Sequence, residues 1–287
     1  MKKFFSAVLA LMMTVSVSAQ FYIYLSNGDV LKADSISVVA PTQPSGDGIL
    51  SGEFSVSATT KVHFSQGNLQ YVGTWQFAEN QWDYFGSSQY HNHRDLFGWG
   101  TGDAPNKVST SINDYATFTD WGINAISNGG SVANVWRTLT NDEWVYLFYG
   151  RTNAAVLFGL GSVNGVNGAI LLPDNWTLPT GASFTASTTQ GLKDSGTYYH
   201  NSSGNNFSHN TYTKEQWYVM ESAGAVFLPA AGYRLGTAVD FVGSYGYYWS
   251  ATPYDSGSAY HLNSGTHRLG PQYHLYRYYG LSVRLVR

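Results

Sequence analysis

The segment from Gly246 to Arg287 constrains the fold of this chain most, because its two ends and its middle differ in composition. It begins with the aromatic run GYYWS and ends with GLSVRLVR, where apolar and polar residues alternate as along a half-buried strand. The middle is rich in Tyr, His, Ser and Gly, and its large aliphatic residues are Leu262, Leu269 and Leu275. The ends are therefore expected to pack into a β-rich domain that displays the middle at its surface.

Two interpretations of the middle are open. Tyrosine supplies large, stiff contact area, and Ser, Gly and Asn supply adaptable hydrogen bonds, which is the composition of antibody-type binding sites. The same residues are also ordinary in the strands and turns at a loop-rich sheet edge. Composition alone does not separate a binding surface from such an edge.

The order of residues at the two ends favours a binding surface. GYYWS at Gly246–Ser250 and RYYGLSVR at Arg277–Arg284 resemble the variable region of proteins diversified by retroelements, which have a C-type-lectin-like fold. In that family, randomised adenines let an AAC codon become Tyr, His, Asp, Ser, Thr, Gly, Arg or Leu, but never Lys, Glu, Gln, Met or Trp. Residues 254–281 contain no Lys, Glu, Met or Trp, and their one glutamine is Gln272.

The resemblance also implies which positions are fixed and which contact a ligand. The implied framework residues are Trp249, Arg277, Gly280, Val283 and Arg284. The positions that align with variable sites, and that are expected to contact a ligand, are Asp255, Gly257, Ser258, His261, Asn263, His267, Arg268, Gly270, Tyr273, His274, Tyr276 and Tyr279. The three tyrosines are the expected anchors, since aromatic residues dominate such interfaces. The three histidines are expected to add polar contacts, or to weaken binding below about pH 6.5 when they are protonated.

The start of the chain has the features of an export signal. A basic Met1–Lys3 precedes a short apolar run, and Val17-Ser18-Ala19 fits the small-residue cleavage rule. This pattern predicts a signal peptide over residues 1–19 and a mature chain that begins at Gln20. The run is too short for a membrane span, and no other stretch suits one. We therefore expect an exported protein that is extracellular, on the cell surface or in the periplasm.

The mature chain divides into a small appendage and one large domain. Over residues 20–39, apolar runs flank Asn27-Gly28, the strongest short signal for a β-hairpin. Pro, Gly and Ser in residues 40–48 indicate a linker. The main domain is expected over residues 49–287, with its variable region at about 246–287.

Two capping boxes predict short helices in the main domain. Thr140 and Glu143 have the required spacing, and Gly150 ends the helix that they start. Thr213 and Gln216 repeat the pattern before Trp217, Val219 and Met220. The first box belongs to a W-R-x-x-T-x-x-E-W motif, which resembles a signature shared by exported C-type-lectin-like domains and formylglycine-generating enzymes.

Strands are predicted around these two helices. Alternation predicts one strand over residues 53–64 and another over 68–77, and Asn164-Gly165 predicts a turn that feeds a buried strand. Residues 225–228 are expected to form a central strand, and the polar residues 183–210 an excursion on the surface. This order predicts an α+β fold, and the resemblance implies a C-type-lectin-like domain with mixed, mainly antiparallel sheets and two short helices.

Composition and motifs argue against several functions. The chain has no Cys, which excludes the thiol chemistry of formylglycine-generating enzymes, and its net charge of −3 does not favour nucleic acid as a partner. No catalytic motif appears, so we expect neither an enzyme nor a cofactor, although the two carboxylates of a glycosidase need not be close in sequence. His91-x-His93 poses a question of metal binding, but a polar loop explains it equally well. The expected partner is a protein or glycan on another cell, a phage or a host surface. The competing interpretation is a structural or adhesin-tip domain.

Overall fold

A computed structural model of the protein describes residues 21–24, 30–33, 46–187, 192–194, 197–201 and 206–287. For 21–24, 30–33, 192–194 and 197–201 it describes the backbone alone. The predicted signal peptide, the turn at residues 26–29 and most of the predicted linker lie outside the described residues. The chain forms two compact units, Met1–Pro41 and Thr42–Arg287.

The first unit contains a pair of antiparallel strands. Strand β1 is Phe21–Tyr24 and strand β2 is Val30–Ala33, with Phe21 opposite Ala33 and Tyr24 opposite Val30. These strands lie on either side of the Asn27-Gly28 signal, where the sequence predicts them.

The second unit contains the remaining strands and two short α-helices. Its strands are β3 Phe54–Ser55, β4 Lys61–Val62, β5 Leu69–Tyr71, β6 Trp75–Phe77, β7 Arg137–Thr138, β8 Phe158–Val163, β9 Val166–Leu171, β10 Leu192–Asp194, β11 Thr197–Asn201, β12 Thr211–Tyr212, β13 Val226–Pro229, β14 Tyr233–Leu235, β15 Ala238–Asp240, β16 Tyr245–Pro253, β17 Ser258–Gly265, β18 Arg268–Tyr276 and β19 Leu285–Val286. The helices are α1 Asn141–Val145, continued by a π-helical turn Tyr146–Gly150, and α2 Lys214–Ser222. Single 3₁₀ turns cover Ile112–Tyr115, Trp121–Ile123, Ala154–Val156 and Phe207–His209.

Two larger sheets organise this unit. One has the order β10-β11-β18-β17-β16 and is antiparallel throughout, and the other has the order β12-β8-β9-β13, with β12 parallel to β8. The remaining strands of the unit form two-stranded pairs, including β19 with β7. The unit is therefore α+β, mostly sheet with two short helices, which confirms the predicted fold class at that level.

The helices begin where the capping boxes predict. The Thr140 hydroxyl accepts from the Glu143 amide at 3.2 Å, and the Glu143 carboxylate accepts from the Thr140 amide at 2.8 Å. Thr213 and Gln216 make the same reciprocal pair at the start of α2. In α2, Trp217 and Met220 are buried, whereas Val219 faces solvent.

Several strand predictions need correction. Residues 53–64 and 68–77 are not single strands but two small hairpins, β3–β4 and β5–β6. Ser57 closes the first by accepting from the Thr59 and Thr60 amides, and Gly73 turns the second with a φ of +85°. The Asn164-Gly165 turn is confirmed, with φ values of +50° and +79°.

Two further expectations change in the large sheets. Strand β13, expected to be central, lies at the edge of its sheet, a position that suits Pro229 because proline has no amide to donate. The polar stretch 183–210, expected to be an excursion, contributes β10 and β11 to the five-stranded sheet. Strand β11 pairs with β18, with Asn201 opposite Arg268.

The five-stranded sheet packs against a different core cluster on each side. Tyr248, Leu262 and Leu269 belong to the main core, which also contains Trp144 and Phe148 of the first helical segment. On the other side, Trp249 and Ala259 join a second cluster with Phe97, Trp99 and Val283. This second side is only partly covered, and it carries the site described next.

Candidate functional site

The side of β16–β18 that carries Trp249 presents three cross-strand rows. The rows are Tyr245–Gly265–Arg268, Tyr247–Asn263–Gly270 and Trp249–His261–Tyr273. Residues directly opposite one another in antiparallel strands point to the same side of a sheet. A bulge between His261 and Asn263 adds a residue to β18. Arg268 and Tyr273 therefore share this side, although they are an odd number of residues apart.

Tyrosine rings form a continuous layer on this side. Tyr233 contacts Tyr247 edge to face at 5.5 Å, Tyr279 at 5.0 Å and Phe241 at 5.5 Å, measured between ring centroids. Tyr245 lies 6.0 Å from Tyr247. We call the layer made by Tyr233, Phe241, Tyr245, Tyr247, Tyr273 and Tyr279, with Arg268, the aromatic face. Its tyrosines are half-buried, and Phe241 is exposed.

Arg268 lies over two rings of the aromatic face. Its guanidinium carbon is 5.8 Å from the Tyr245 ring centroid and 5.4 Å from that of Tyr273. Both distances fall within the range of a cation–π contact. Gly265 allows the arrangement, because a Cβ there would lie 2.4 Å from the Tyr245 ring. The exposed Asp240 lies opposite Tyr233, so a largely neutral layer of rings has one cation above it and one carboxylate beside it.

His261 lies beneath this layer and is almost inaccessible. It is 3% exposed, and its ring lies 5.7 Å from Tyr247, 6.0 Å from Trp249 and 6.3 Å from Tyr273. Burial, and secondly the nearby His274, lower the pKa of His261 from 6.5 to about 3. His261 therefore stays neutral at pH 5–6.5 and does not contribute to the expected loss of binding below pH 6.5.

The depressed pKa of His261 predicts a pH-dependent stability. In the unfolded chain the imidazole takes up a proton near pH 6.5, whereas in the folded chain it does so near pH 3. The contribution of the neutral His261 ring to the free energy of unfolding is therefore complete above pH 6.5. It is lost as the pH falls toward 3, and the loss is about 2 kcal/mol at pH 5.

Chemical denaturation of the wild type and His261→Phe at pH 7.5 and pH 5 measures this loss. The wild type should lose about 2 kcal/mol more than the variant on acidification. Burial raises the pKa of Asp95 to about 6, so Asp95 also contributes to the pH dependence. Both proteins contain Asp95, so its contribution cancels in the difference between them. Equal losses in the two proteins would show that His261 is not buried as a neutral ring.

Three other predicted contact residues are also buried. Asn263 is 2% exposed, Ser258 is 6% exposed, and Gly270 lies inside the sheet. With His261, they occupy strand positions that neighbouring strands and rings cover. The accessible part of the predicted set is therefore Asp255, Gly257, His267, Arg268, Tyr273, His274, Tyr276 and Tyr279.

The accessible residues do not form a single patch. Arg268, Tyr273 and Tyr279 belong to the aromatic face, whereas His274 points to the other side and stacks on Tyr254 at 3.8 Å. His267 occupies the β17–β18 turn with a φ of +65°. Tyr276, next to the opposite end of β17, stacks with Tyr278 at 5.3 Å.

Asp255 shapes the turn at that end of β17. Its carboxylate accepts from the Gly257 amide at 2.8 Å and from the Ser258 amide at 2.6 Å. These hydrogen bonds, that from Gly257 first, lower the pKa of the carboxyl group. Arg277 holds the same turn, because its guanidinium donates to the carbonyls of Asp255 and Ser258. One predicted contact residue thus also determines local structure.

The implied framework residues are buried and well contacted. The Trp249 indole donates to the Phe97 carbonyl at 2.7 Å, and Arg277 lies 4.3 Å above the Trp99 ring. Val283 and Arg284 are at most 1% exposed. A side chain at Gly280 would meet the Arg234 guanidinium at 2.7 Å. All five positions therefore serve the scaffold.

Sequence reasoning missed several members of the aromatic face. Tyr233, Phe241 and Tyr245 precede the segment that resembles the family, and Tyr247 lies in the run that we interpreted as framework. A usable signal exists for two of them. Tyr245, Tyr247 and Trp249 alternate along one strand, so they share one side of the sheet.

His93 and Glu143, two further residues of motifs singled out in the sequence, make contacts within the fold. Within the described parts of the chain, no group of three or more His, Cys, Asp or Glu side chains is arranged to hold a metal ion. The His93 ring is stacked between Phe85 at 3.8 Å and Tyr90 at 4.5 Å. Glu143 caps α1 and pairs with Arg137 through two contacts of 2.7 Å.

Comparison with known proteins yields no relative. No protein-family model, curated protein or solved structure matches the chain. No helix in the described residues has the length and hydrophobicity to cross a lipid bilayer. The functional proposal therefore rests on the residues of the site.

Proposed function

We propose that this chain is an exported ligand-binding protein that uses the aromatic face, with the turns at both ends of β17, to bind a protein or glycan on another cell, a phage or a host surface. The scaffold would be a C-type-lectin-like domain. The segment 246–287 would be a variable region diversified by a retroelement, and the export signal would place the protein outside the cell or on its surface.

The observation that carries the proposal is the separation of two kinds of residue within one segment. Trp249, Arg277 and Arg284 are buried and hydrogen-bonded. Arg268 and Tyr276, in the same segment, are exposed at the surface. A binding protein that must fold with many different surfaces requires this separation.

The composition of the exposed part also supports binding. Tyr and Trp are enriched where interfaces concentrate their binding energy, and half-buried tyrosines lose little conformational freedom when they make contact. The aromatic face combines such rings with one cation, and the exposed Asp240 lies beside it, opposite Tyr233. No described feature favours a structural or hydrolytic role in the same way.

Diversification predicts a second, non-coding copy of the DNA for residues 246–287 near the gene. That copy should carry Asn-type codons at positions such as 268, 273, 274 and 276, and should match the gene at Trp249 and Arg277. Sequencing the flanking DNA, and the segment itself in many independent isolates, tests this prediction. Absence of a template copy, or variation spread evenly over buried and exposed positions, would refute diversification.

A further inference from the structure

Two buried polar atoms under the aromatic face have no hydrogen-bond partner. They are Nδ1 of His261 and Oδ1 of Asn263, in side chains that are 3% and 2% exposed. Folded proteins pair nearly all buried polar atoms, because an unpaired one loses its hydration without compensation. Two unpaired atoms that lie two residues apart in one site indicate that a bound ligand supplies the missing hydrogen bonds.

The sheet geometry aims both side chains at the same place. His261 and Asn263 lie two residues apart on β17, so they point to the same side with a spacing of about 7 Å. Tyr247 and Tyr273 flank them on the neighbouring strands. Opposite Asn263, Gly270 contributes no side chain. The two side chains therefore lie between aromatic walls, buried under the aromatic face.

The chemistry of the two atoms selects the ligand group. The Asn263 oxygen only accepts hydrogen bonds, so it requires a donor, and a carboxylate would be repelled there. Nδ1 of a neutral imidazole donates or accepts according to its tautomer, and a hydroxyl group can accept from it in the first case and donate to it in the second. Because the two residues are spaced about 7 Å apart along the strand, two hydroxyls on a rigid frame suit the two atoms better than a single hydroxyl.

We propose that the aromatic face binds a neutral sugar ring of a glycan, with two ring hydroxyls hydrogen-bonded to His261 Nδ1 and Asn263 Oδ1 and the apolar face of the ring stacked on Tyr247 or Tyr273. The inference rests on the proposed function and specifies the ligand class. Sites of this kind combine aromatic walls with a few placed polar groups. Entry requires the half-buried Tyr273 ring to rotate aside, and such side-chain rearrangements are common when proteins bind.

A printed array of neutral and acidic oligosaccharides tests the proposal with four proteins. They are the wild type, His261→Phe, Asn263→Leu and Ser264→Ala. The first two variants each remove one unpaired polar atom, and Asn263→Leu also removes the hydrogen bond between Asn263 and Tyr247, so a thermal melt of each variant checks that it folds. Ser264→Ala is the matched control, because its hydroxyl is also buried and without a partner but points to the other side of the sheet.

The wild type and Ser264→Ala should bind the same neutral oligosaccharides, and His261→Phe and Asn263→Leu should bind them at least tenfold more weakly. If either variant does not fold, ¹⁵N-histidine spectra of the wild type replace it, and the bound sugar must shift the His261 ring nitrogens. The proposal is overturned if the wild type binds no oligosaccharide, if it binds a protein alone, or if both variants bind sugar normally. The proposed function would survive those results as long as exposed residues of the segment are still needed for attachment to cells.

Discussion

Replacing Trp249 with alanine is expected to destabilise the protein by about 3–5 kcal/mol, the usual cost of truncating a buried aromatic side chain. Trp249 is 1% exposed, and its indole packs in the second core cluster. Truncation also removes the indole hydrogen bond of 2.7 Å to the Phe97 carbonyl, which keeps its hydrogen bond from the Leu281 amide. Because the residue lies directly beneath the site, its loss should affect the position of β16 as well as the overall stability. Equilibrium unfolding in urea measures the change.

Tyr276→Ala is the control for that experiment. Tyr276 belongs to the same segment but is 54% exposed, so its truncation should cost about 0.5 kcal/mol or less. The comparison of Trp249 with Tyr276 thus distinguishes a buried scaffold residue from a surface residue of the same segment. A loss below about 1 kcal/mol for Trp249→Ala, or an unfolded Tyr276→Ala, would contradict the assignment of these residues.

Local signals predicted the helix starts and one turn from the sequence. A capping box needs only two residues at a fixed spacing, and the structure contains both boxes, at Thr140 and Thr213. The Asn164-Gly165 turn likewise depends on two neighbouring residues that accept positive φ. Such features depend on few residues close in sequence, so the chain specifies them before any tertiary contact forms.

Which residues are accessible at the site depends on contacts between strands, and the sequence alone does not predict these contacts. The bulge opposite His261 shifts the alternation along β18, which brings Arg268 onto the side that carries Tyr273. The burial of His261 results from the rings of Tyr247 and Trp249, which come from a different strand. Alternation of residues along a single strand predicts neither a β-bulge nor the burial of a side chain by rings from neighbouring strands.

The second large effect is expected from replacing five accessible residues of the segment together. The variant changes His267, Arg268, Tyr273, His274 and Tyr276 to Asn or Ser, and omits the buried His261. Each of the four exposed changes should cost about 0.5 kcal/mol or less, and Tyr273 is only half-buried, so the domain should still unfold cooperatively. Asn suits position 267, because it tolerates the positive φ there. Binding should be lost, since a few central residues carry most of the energy of an interface.

A matched variant controls for the number of changes. It replaces five apolar residues that are exposed elsewhere on the domain, again with Asn or Ser. These residues are Val132, Val135, Val156, Leu178 and Val219, and they are between 37% and 57% exposed. Neither their position nor their chemistry belongs to the proposed site, so this variant should both fold and bind.

The most direct measurement is the attachment of the labelled wild type and the two five-residue variants to a panel of bacterial and host cells by flow cytometry, with a thermal melt of each protein alongside. The account predicts that all three proteins fold, that the wild type and the matched variant attach to the same cells, and that the segment variant attaches at least tenfold less. Attachment of the segment variant at the wild-type level, or loss of its cooperative melt, would contradict the claim that residues 246–287 present a binding surface on an independent scaffold.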